Sequence, residues 1–359
     1  MRAVLLFLAL LPPAMAGAQP PAPADQAPAP IPPEVERRQV VPFLPGTYVF
    51  FNLPRDHIKF EADIQPNFVI RQTFSDKLVI EDLLTGEFKR GYSIVGTPRV
   101  RLRMIDARSA PVRTPSYMPK GTFTQLFFRG EPIERGSRVG LWAAQATVGH
   151  HSNGQDGCLF TTDTLVGDRC VGPPDLQQIN HIDGTFSTNF VRFGGRYRRE
   201  WLHDVSTDAQ KQAGIEEQIG AREFTLGFDI DRHFHTDPRV EPFYGTTRAS
   251  VLAGGATRFR RVCKSRVDAS VALFYVGEQP DTVGSFAFQA EMSCTFTDQG
   301  GWGMFARYYT GQDYYNLGFA ESINRLMFGA HFQQDGFLRF VSRRAKEEAD
   351  LMKRRREAR

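Results

Sequence analysis

Residues 141–152 read LWAAQATVGHHS. The even positions are Trp142, Ala144, Ala146, Val148, His150 and Ser152, and the odd ones are Leu141, Ala143, Gln145, Thr147, Gly149 and His151. A strand sends successive side chains to opposite faces. The even face is apolar until it ends in His150 and Ser152. The same period of two recurs downstream. Phe224, Leu226, Phe228, Ile230, Arg232 and Phe234 alternate with Thr225, Gly227, Asp229, Asp231 and His233. Leu326, Phe328, Ala330 and Phe332 alternate with Arg325, Met327, Gly329 and His331. A soluble sandwich alternates too, so three further features decide. Several strands reach about ten residues, the length that crosses a bilayer. The polar faces are rich in Gly, Asp and Arg, as a packed polar lumen requires. Aromatics cluster near strand ends at Tyr308, Tyr309, Tyr314 and Tyr315. The expected fold is all-β, an antiparallel transmembrane β-barrel.

The composition agrees. Of 359 residues, 41% are apolar, and no mature segment supplies the roughly 20 apolar residues of a membrane helix. Barrel strands average out in hydropathy, so a barrel survives this test. Net charge is +4, and the segment 341–359 (VSRRAKEEADLMKRRREAR) alone accounts for it. The rest is near neutral, and the basic balance is no argument for nucleic acid.

The N-terminus has the layout of a secretory signal. Arg2 is the positive region, Ala3 to Leu11 the apolar one, and Ala14-Met15-Ala16 or Ala16-Gly17-Ala18 the cleavage site. Residues 1–18 are set aside as that signal. Residues 19–33, with seven prolines, form an extended linker. The barrel is assigned to 34–340 and a charged tail to 341–359. Periodicity is least clear over 34–120. Four cysteines in an exported chain point to two disulfides, most simply Cys158–Cys170 and Cys263–Cys294.

The segment Gly149-His150-His151-Ser152-Asn153-Gly154 carries the chemistry. His150 and Ser152 share a face about 7 Å apart along a strand, which sets an imidazole base beside a hydroxyl. Asn153-Gly154 is a turn whose backbone N–H groups can meet an oxyanion. Both side chains continue an apolar, lipid-facing row, where polar groups are costly and functional by default. On the next long strand Ser187, Asn189, Val191 and Phe193 share one face, and Thr188, Arg192, Arg196 and Arg198 the other. If these two strands are antiparallel neighbours, Asn189 can accept from the ring N–H of His150. A neutral amide suits that place better than a carboxylate. His233 and His235 with Asp231 and Asp237 raise a metal site, but they fall on the lumen face, where a polar network is the simpler reading.

His-x-Ser-Asn-Gly followed by a Ser-x-Asn strand resembles the bacterial outer membrane phospholipase A family. The five-position motif His-x-Ser-Asn-Gly alone arises by chance in roughly one chain in a thousand. Residues 113–127 (RTPSYMPKGTFTQLF) resemble the family segment before the active-site strand, and 307–332 its last hairpin. The resemblance implies a 12-stranded barrel with its site on the lipid-facing wall. It implies a calcium-dependent phospholipase A, active as a homodimer on membrane phospholipids of the bacterial outer membrane. By the same resemblance Ser152 is the nucleophile, His150 the base and Asn189 its orienter. The backbone N–H of Gly154, with calcium-bound water, forms the oxyanion hole. The carbonyl of Gln155 and the hydroxyl of Thr185 are candidate Ca2+ ligands, with Asp156 and Asp183 further oxygen donors.

Two departures stand out. Family members place about a dozen residues between nucleophile and Asn, and 36 lie between Ser152 and Asn189. That insertion carries Cys158 and Cys170. Where the family has Arg after Ser-Asn-Gly, this chain has Gln155. The alternatives are a non-catalytic structural or pore-forming barrel, an acyl hydrolase of lipid A, and a soluble esterase.

Overall fold

Alternation on this scale leaves every strand one apolar face and one polar face, and closing the sheet on itself removes its unpaired edges. The computed structural model takes that form. It describes residues 42–53, 58–73, 88–105, 112–131, 138–173, 178–204, 206–212, 215–259, 266–278, 284–297, 300–335 and 339–343. The signal and linker assigned to 1–33, Cys263, and the tail beyond 343 lie outside the described residues.

Twelve antiparallel strands form the ring. They are β1 (Thr47–Leu53), β2 (Ile58–Ile64, resuming as Phe68–Gln72), β3 (Phe88–Thr97, resuming as Val100–Ile105) and β4 (Val112–Tyr117, resuming as Lys120–Glu131). Next come β5 (Arg138–Ser152), β6 (Ser187–Asp204), β7 (Ile215–Phe234) and β8 (Thr247–Arg258). The last four are β9 (Arg266–Val276), β10 (Phe286–Thr295), β11 (Gly301–Gln312) and β12 (Ser322–Gln333). Each strand pairs with its neighbours in sequence, and β12 returns to β1 from Thr47↔Phe332 to Leu53↔Leu326. The interruptions in β2 and β3 do not shift their pairing: Ile64↔Val100 is followed by Phe68↔Gly96.

The wall is apolar outward. Phe193, Val148, Phe228, Ile230, Leu273 and Met304 are all exposed. The lumen is charged, and ion pairs among the described residues compensate much of that burial. Arg192 meets Asp231 at 2.6 Å, Arg196 meets Asp229 at 2.7 Å, and Arg307 meets Glu291 at 2.6 Å. Arg198 lies among Glu200, Glu223 and Asp335. Two lumen cavities of about 400 and 280 Å³ remain between these pairs. No described helix is long and apolar enough to cross a membrane; the crossing is made by strands.

A second, apolar core closes one end. Leu159, Phe160, Ile179 and Phe186 of the insertion pack with Val240 and Tyr244 of the β7–β8 connection and Leu317 and Phe319 of the β11–β12 connection. Tyr314 packs against it and Tyr315 is buried, so these two tyrosines face inward instead of joining an interfacial belt. Cys158 and Cys170 are disulfide-bonded, and so is Cys294. The charged segment expected from 341 begins as strand. Arg339–Arg343 pairs with Ile215–Ile219 of β7, the part of that strand reaching beyond its pairing with β8. An unpaired strand edge is a liability, and this addition covers it.

Candidate active site on the outer wall

β5 and β6 are antiparallel neighbours, and their register sets Asn189 directly opposite His150 and Ser187 opposite Ser152. The two side chains meet: His150 Nδ1 lies 2.9 Å from Asn189 Oδ1. An amide oxygen only accepts, so Nδ1 carries the proton and Nε2 keeps its lone pair. Ser152 is two residues further along the same face. His150, Ser152 and Asn189 are each half-buried, on the wall that also shows Val148 and Phe193. An apolar groove of about 820 Å³ runs along that wall, lined by Trp142, Ala144, Gly195, Tyr197, Phe228 and Leu273.

The strand end is held from behind. Gly149 faces inward under the Phe190 ring, where a Cβ would come within 2.4 Å of Cζ. His150 N–H donates to the carbonyl of Pro119 at 3.0 Å, in the break of β4, and Tyr117 pairs with Ser152. His151 is buried, with Nδ1 3.1 Å from the Tyr244 hydroxyl and its ring edge-on to Phe186. Burial, reinforced by Tyr314, pushes the Tyr244 phenol well above its ordinary range, so it stays protonated.

After Ser152 the chain turns through Gly154 at φ +67, a left-handed conformation that glycine adopts without strain. Asn153 directs that turn. Its Nδ2 donates to Gly184 O at 2.7 Å, and its Oδ1 accepts from Phe186 N–H at 3.0 Å. The pair Asn153-Gly154 reads in sequence as a simple turn signal. In three dimensions its first member is a buried clamp between the two ends of the insertion.

The insertion is zipped at its base. Gly157 N–H donates to Asp183 O at 3.0 Å, Thr185 N–H to Gly157 O at 2.8 Å, and Asn180 N–H to Leu159 O at 2.7 Å. Gly157 therefore lies beside Gly184, which brings Asp156 into the neighbourhood of Asp183 and Thr185. Asp156, Asp183 and Thr185 are exposed and Gln155 is half-buried. The Gln155 side chain donates to Thr114 Oγ1 at 2.9 Å, and Asp183 Oδ1 accepts from Asn180 Nδ2 at 2.6 Å. The donors are a carbonyl, a hydroxyl and two carboxylates. That all-oxygen set fits a hard cation such as calcium. Among the described residues no three His, Cys, Asp or Glu form a metal cluster.

His235 departs from its expected place. Alternation puts it in the lumen beside Asp231 and His233, both of which are buried. Its φ of +57 breaks the alternation instead. The side chain is exposed, with Nδ1 3.3 Å from Asn189 Nδ2. The available signal was the run Phe-His-Thr-Asp-Pro at 234–238: Pro238 marks a turn just past the strand end at Phe234, and histidine is among the residues enriched at positive φ.

Fold and site together define a transmembrane antiparallel β-barrel with an imidazole–carboxamide pair beside a serine on its outer wall. Solved structures similar to the chain include an active-site mutant of outer membrane phospholipase A from Escherichia coli. It is 10% identical over 83% of this chain and 95% of that chain, with a TM-score of 0.43. Outer membrane phospholipase A from Escherichia coli is also similar, at 9% identity over the same shares and a TM-score of 0.41. OmpT, an outer membrane protein of Vibrio cholerae, is 9% identical over 82% of this chain and 96% of that one, with a TM-score of 0.23. No protein-family model matches the chain, and no curated protein sequence matches it.

Proposed function

We propose that this chain is a phospholipase A of the bacterial outer membrane, hydrolysing phospholipid acyl esters with Ser152, His150 and Asn189. One observation carries the reading: the 2.9 Å contact of His150 Nδ1 with Asn189 Oδ1, on the lipid-facing wall two residues from a serine. A polar trio has no packing reason to be there, since exposing such groups to lipid costs free energy.

The chemistry follows from the tautomer. With Nδ1–H held by Asn189, Nε2 of His150 takes the Ser152 hydroxyl proton as Oγ attacks the ester carbonyl. The backbone N–H of Gly154 stabilises the oxyanion. Collapse breaks the ester C–O bond. His150 returns the proton to the leaving alkoxide, lysophospholipid departs, and Ser152 keeps the acyl group. Water, deprotonated by His150, then releases the fatty acid and restores the hydroxyl. Asn189 stays neutral and only orients the ring. The Gln155 carbonyl, Thr185, Asp156 and Asp183 would hold calcium, which would supply positive charge to stabilise the oxyanion. The active form is a homodimer, and the substrate's acyl chains lie along the apolar wall. The paired lumen charges and the apolar end core suit a solid scaffold better than a pore.

The test is fatty acid release from phospholipid–detergent mixed micelles by refolded protein, with calcium and with chelator. Calcium-dependent release that Ser152→Ala reduces by at least about a thousandfold, in a protein that still folds, is the expected result. Release retained in Ser152→Ala overturns the mechanism. Release unaffected by chelator removes the cation from it.

A further inference from the structure

Asn189 has two ends, and the trio accounts for only one. Its amide is nearly symmetric in shape, so oxygen and nitrogen can exchange places by a flip about the last side-chain bond. Only the orientation with Oδ1 toward His150 holds the Nδ1–H tautomer that leaves Nε2 free as a base. The flipped amide would present N–H to the imidazole and favour the wrong tautomer. Something must therefore choose between the two orientations.

His235 stands at the other end of the amide. Its Nδ1 lies 3.3 Å from Asn189 Nδ2. The amide nitrogen is a donor, so His235 Nδ1 accepts and His235 carries its proton on Nε2. The hydrogen bonds then run in one direction: Asn189 Nδ2–H to His235 Nδ1, and His150 Nδ1–H to Asn189 Oδ1.

The backbone places His235 there at a cost. It is one of three non-glycine residues with positive φ among the described residues, the others being Phe43 and Glu278. A non-glycine residue in that region is strained and persists where its surroundings enforce it. Here the enforcement is visible on both flanks. Thr188 Oγ1 pairs with Thr236 Oγ1 at 2.7 Å, and His233 N–H donates to Thr246 O at 2.7 Å. The Phe234 ring packs edge-on to the His235 ring with centroids 5.1 Å apart. The strand end is pinned so that His235 swings out of the lumen series to the outer face.

We infer that His235 is a positioning residue: its Nδ1 accepts from Asn189 Nδ2 and so fixes the amide in the orientation that serves His150. This rests on the hydrolase reading above. It predicts His235→Phe to keep the ring volume and lose the acceptor, and His235→Gln to restore an acceptor.

Fatty acid release from mixed micelles, with folding followed by heat-modifiable electrophoretic mobility, tests it. For His235→Phe, kcat falls about tenfold, the worth of roughly one hydrogen bond, while KM moves less than twofold. His235→Gln recovers to within about threefold of the unmodified protein. In an Asn189→Ala background, His235→Phe costs nothing further, because there is no amide left to orient. Full activity in His235→Phe overturns the inference and leaves the hydrolase reading standing. An equal loss in both variants, or a full further loss in the Asn189→Ala background, also overturns it, since the role would then be structural. No release from the unmodified folded protein, with Ser152→Ala indistinguishable from it, overturns the hydrolase reading and this inference with it.

Discussion

Asn153 shows how much of the site rests on a single side chain that does no chemistry. Its buried amide joins Gly184 O and Phe186 N–H, so it ties the residue after Ser152 to the start of β6. Asn153→Ala leaves a buried donor and a buried acceptor unpaired, at about 2–3 kcal/mol. It also frees the turn that carries Gly154. The expected outcome is a folded barrel with a lowered unfolding temperature and hydrolysis down about 100-fold, the usual penalty for a misplacement near 1 Å. Side-by-side unfolding and rate measurements check this; an unchanged rate would remove the clamp from the mechanism. Neither the clamp role of Asn153 nor the outward turn of His235 follows from alternation alone. Strict alternation predicts a face only while φ stays extended, and it says nothing about which loop carbonyl a buried amide will find. His150 and Asn189 were legible because both sit on regular strand, where period and neighbour fix the meeting.

The same reasoning separates the clear strands from the obscure ones. β5 to β12 announce themselves by alternation, but residues 34–120 do not. β2, β3 and β4 are each interrupted, and the register slips between Ile58 and Phe60, Val69 and Arg71, and Arg101 and Arg103. Each slip adds a residue and reverses the phase of the pattern, so no single window holds a clean period of two. The insertion between β5 and β6 was legible as an interruption closed by the Cys158–Cys170 disulfide, but its fold was not. Its folded form depends on long-range partners: an apolar core shared with two other connections, and a hydrogen-bonded base. Its disulfide closes a loop with a sequence separation of 12, above that base. Chain entropy assigns such a closure about 3 kcal/mol of local constraint. Removing it by Cys158→Ser with Cys170→Ser loosens the hairpin of Thr164–Val166 and Arg169–Val171 but leaves the zipper and the end core intact. Limited proteolysis in detergent is expected to cut within 161–178 at least tenfold faster, with hydrolysis retained to within about threefold. Loss of activity comparable to Ser152→Ala would mean that the disulfide itself holds the site.

At the scale of the whole barrel, stability is a matter of charge in the lumen. Arg103 spans from the wall to Asp313, with Nη1 to Oδ2 at 2.6 Å and Nη2 to Oδ1 at 3.0 Å. This ties β3 to the connection between β11 and β12, three to four strands away round the ring. Burial pushes the Asp313 carboxyl up, but the charge and hydrogen bonds of Arg103, with Arg101 and Arg325, override it and hold the carboxyl below the ordinary range. A carboxyl depressed in the folded state contributes stability above its unfolded value near 3.9, and that contribution is lost as pH falls through the lower folded value. Thermal unfolding in detergent is therefore expected to be insensitive to Asp313 between pH 8 and about pH 5 and to weaken progressively below about pH 4. Asp313→Asn removes the two charge-assisted hydrogen bonds and leaves Arg103 with Glu61 alone, which costs about 1.5–3 kcal/mol at neutral pH. It also removes this carboxyl's share of the acid limb, so the two proteins converge as pH falls. Tryptophan fluorescence or heat-modifiable mobility followed from pH 8 to pH 3 reads both effects. A constant gap between the two proteins across that range would mean that Asp313 is protonated at neutral pH and that Arg103 is neutralised by Glu61, which lies 3.3 Å from it, without help from Asp313.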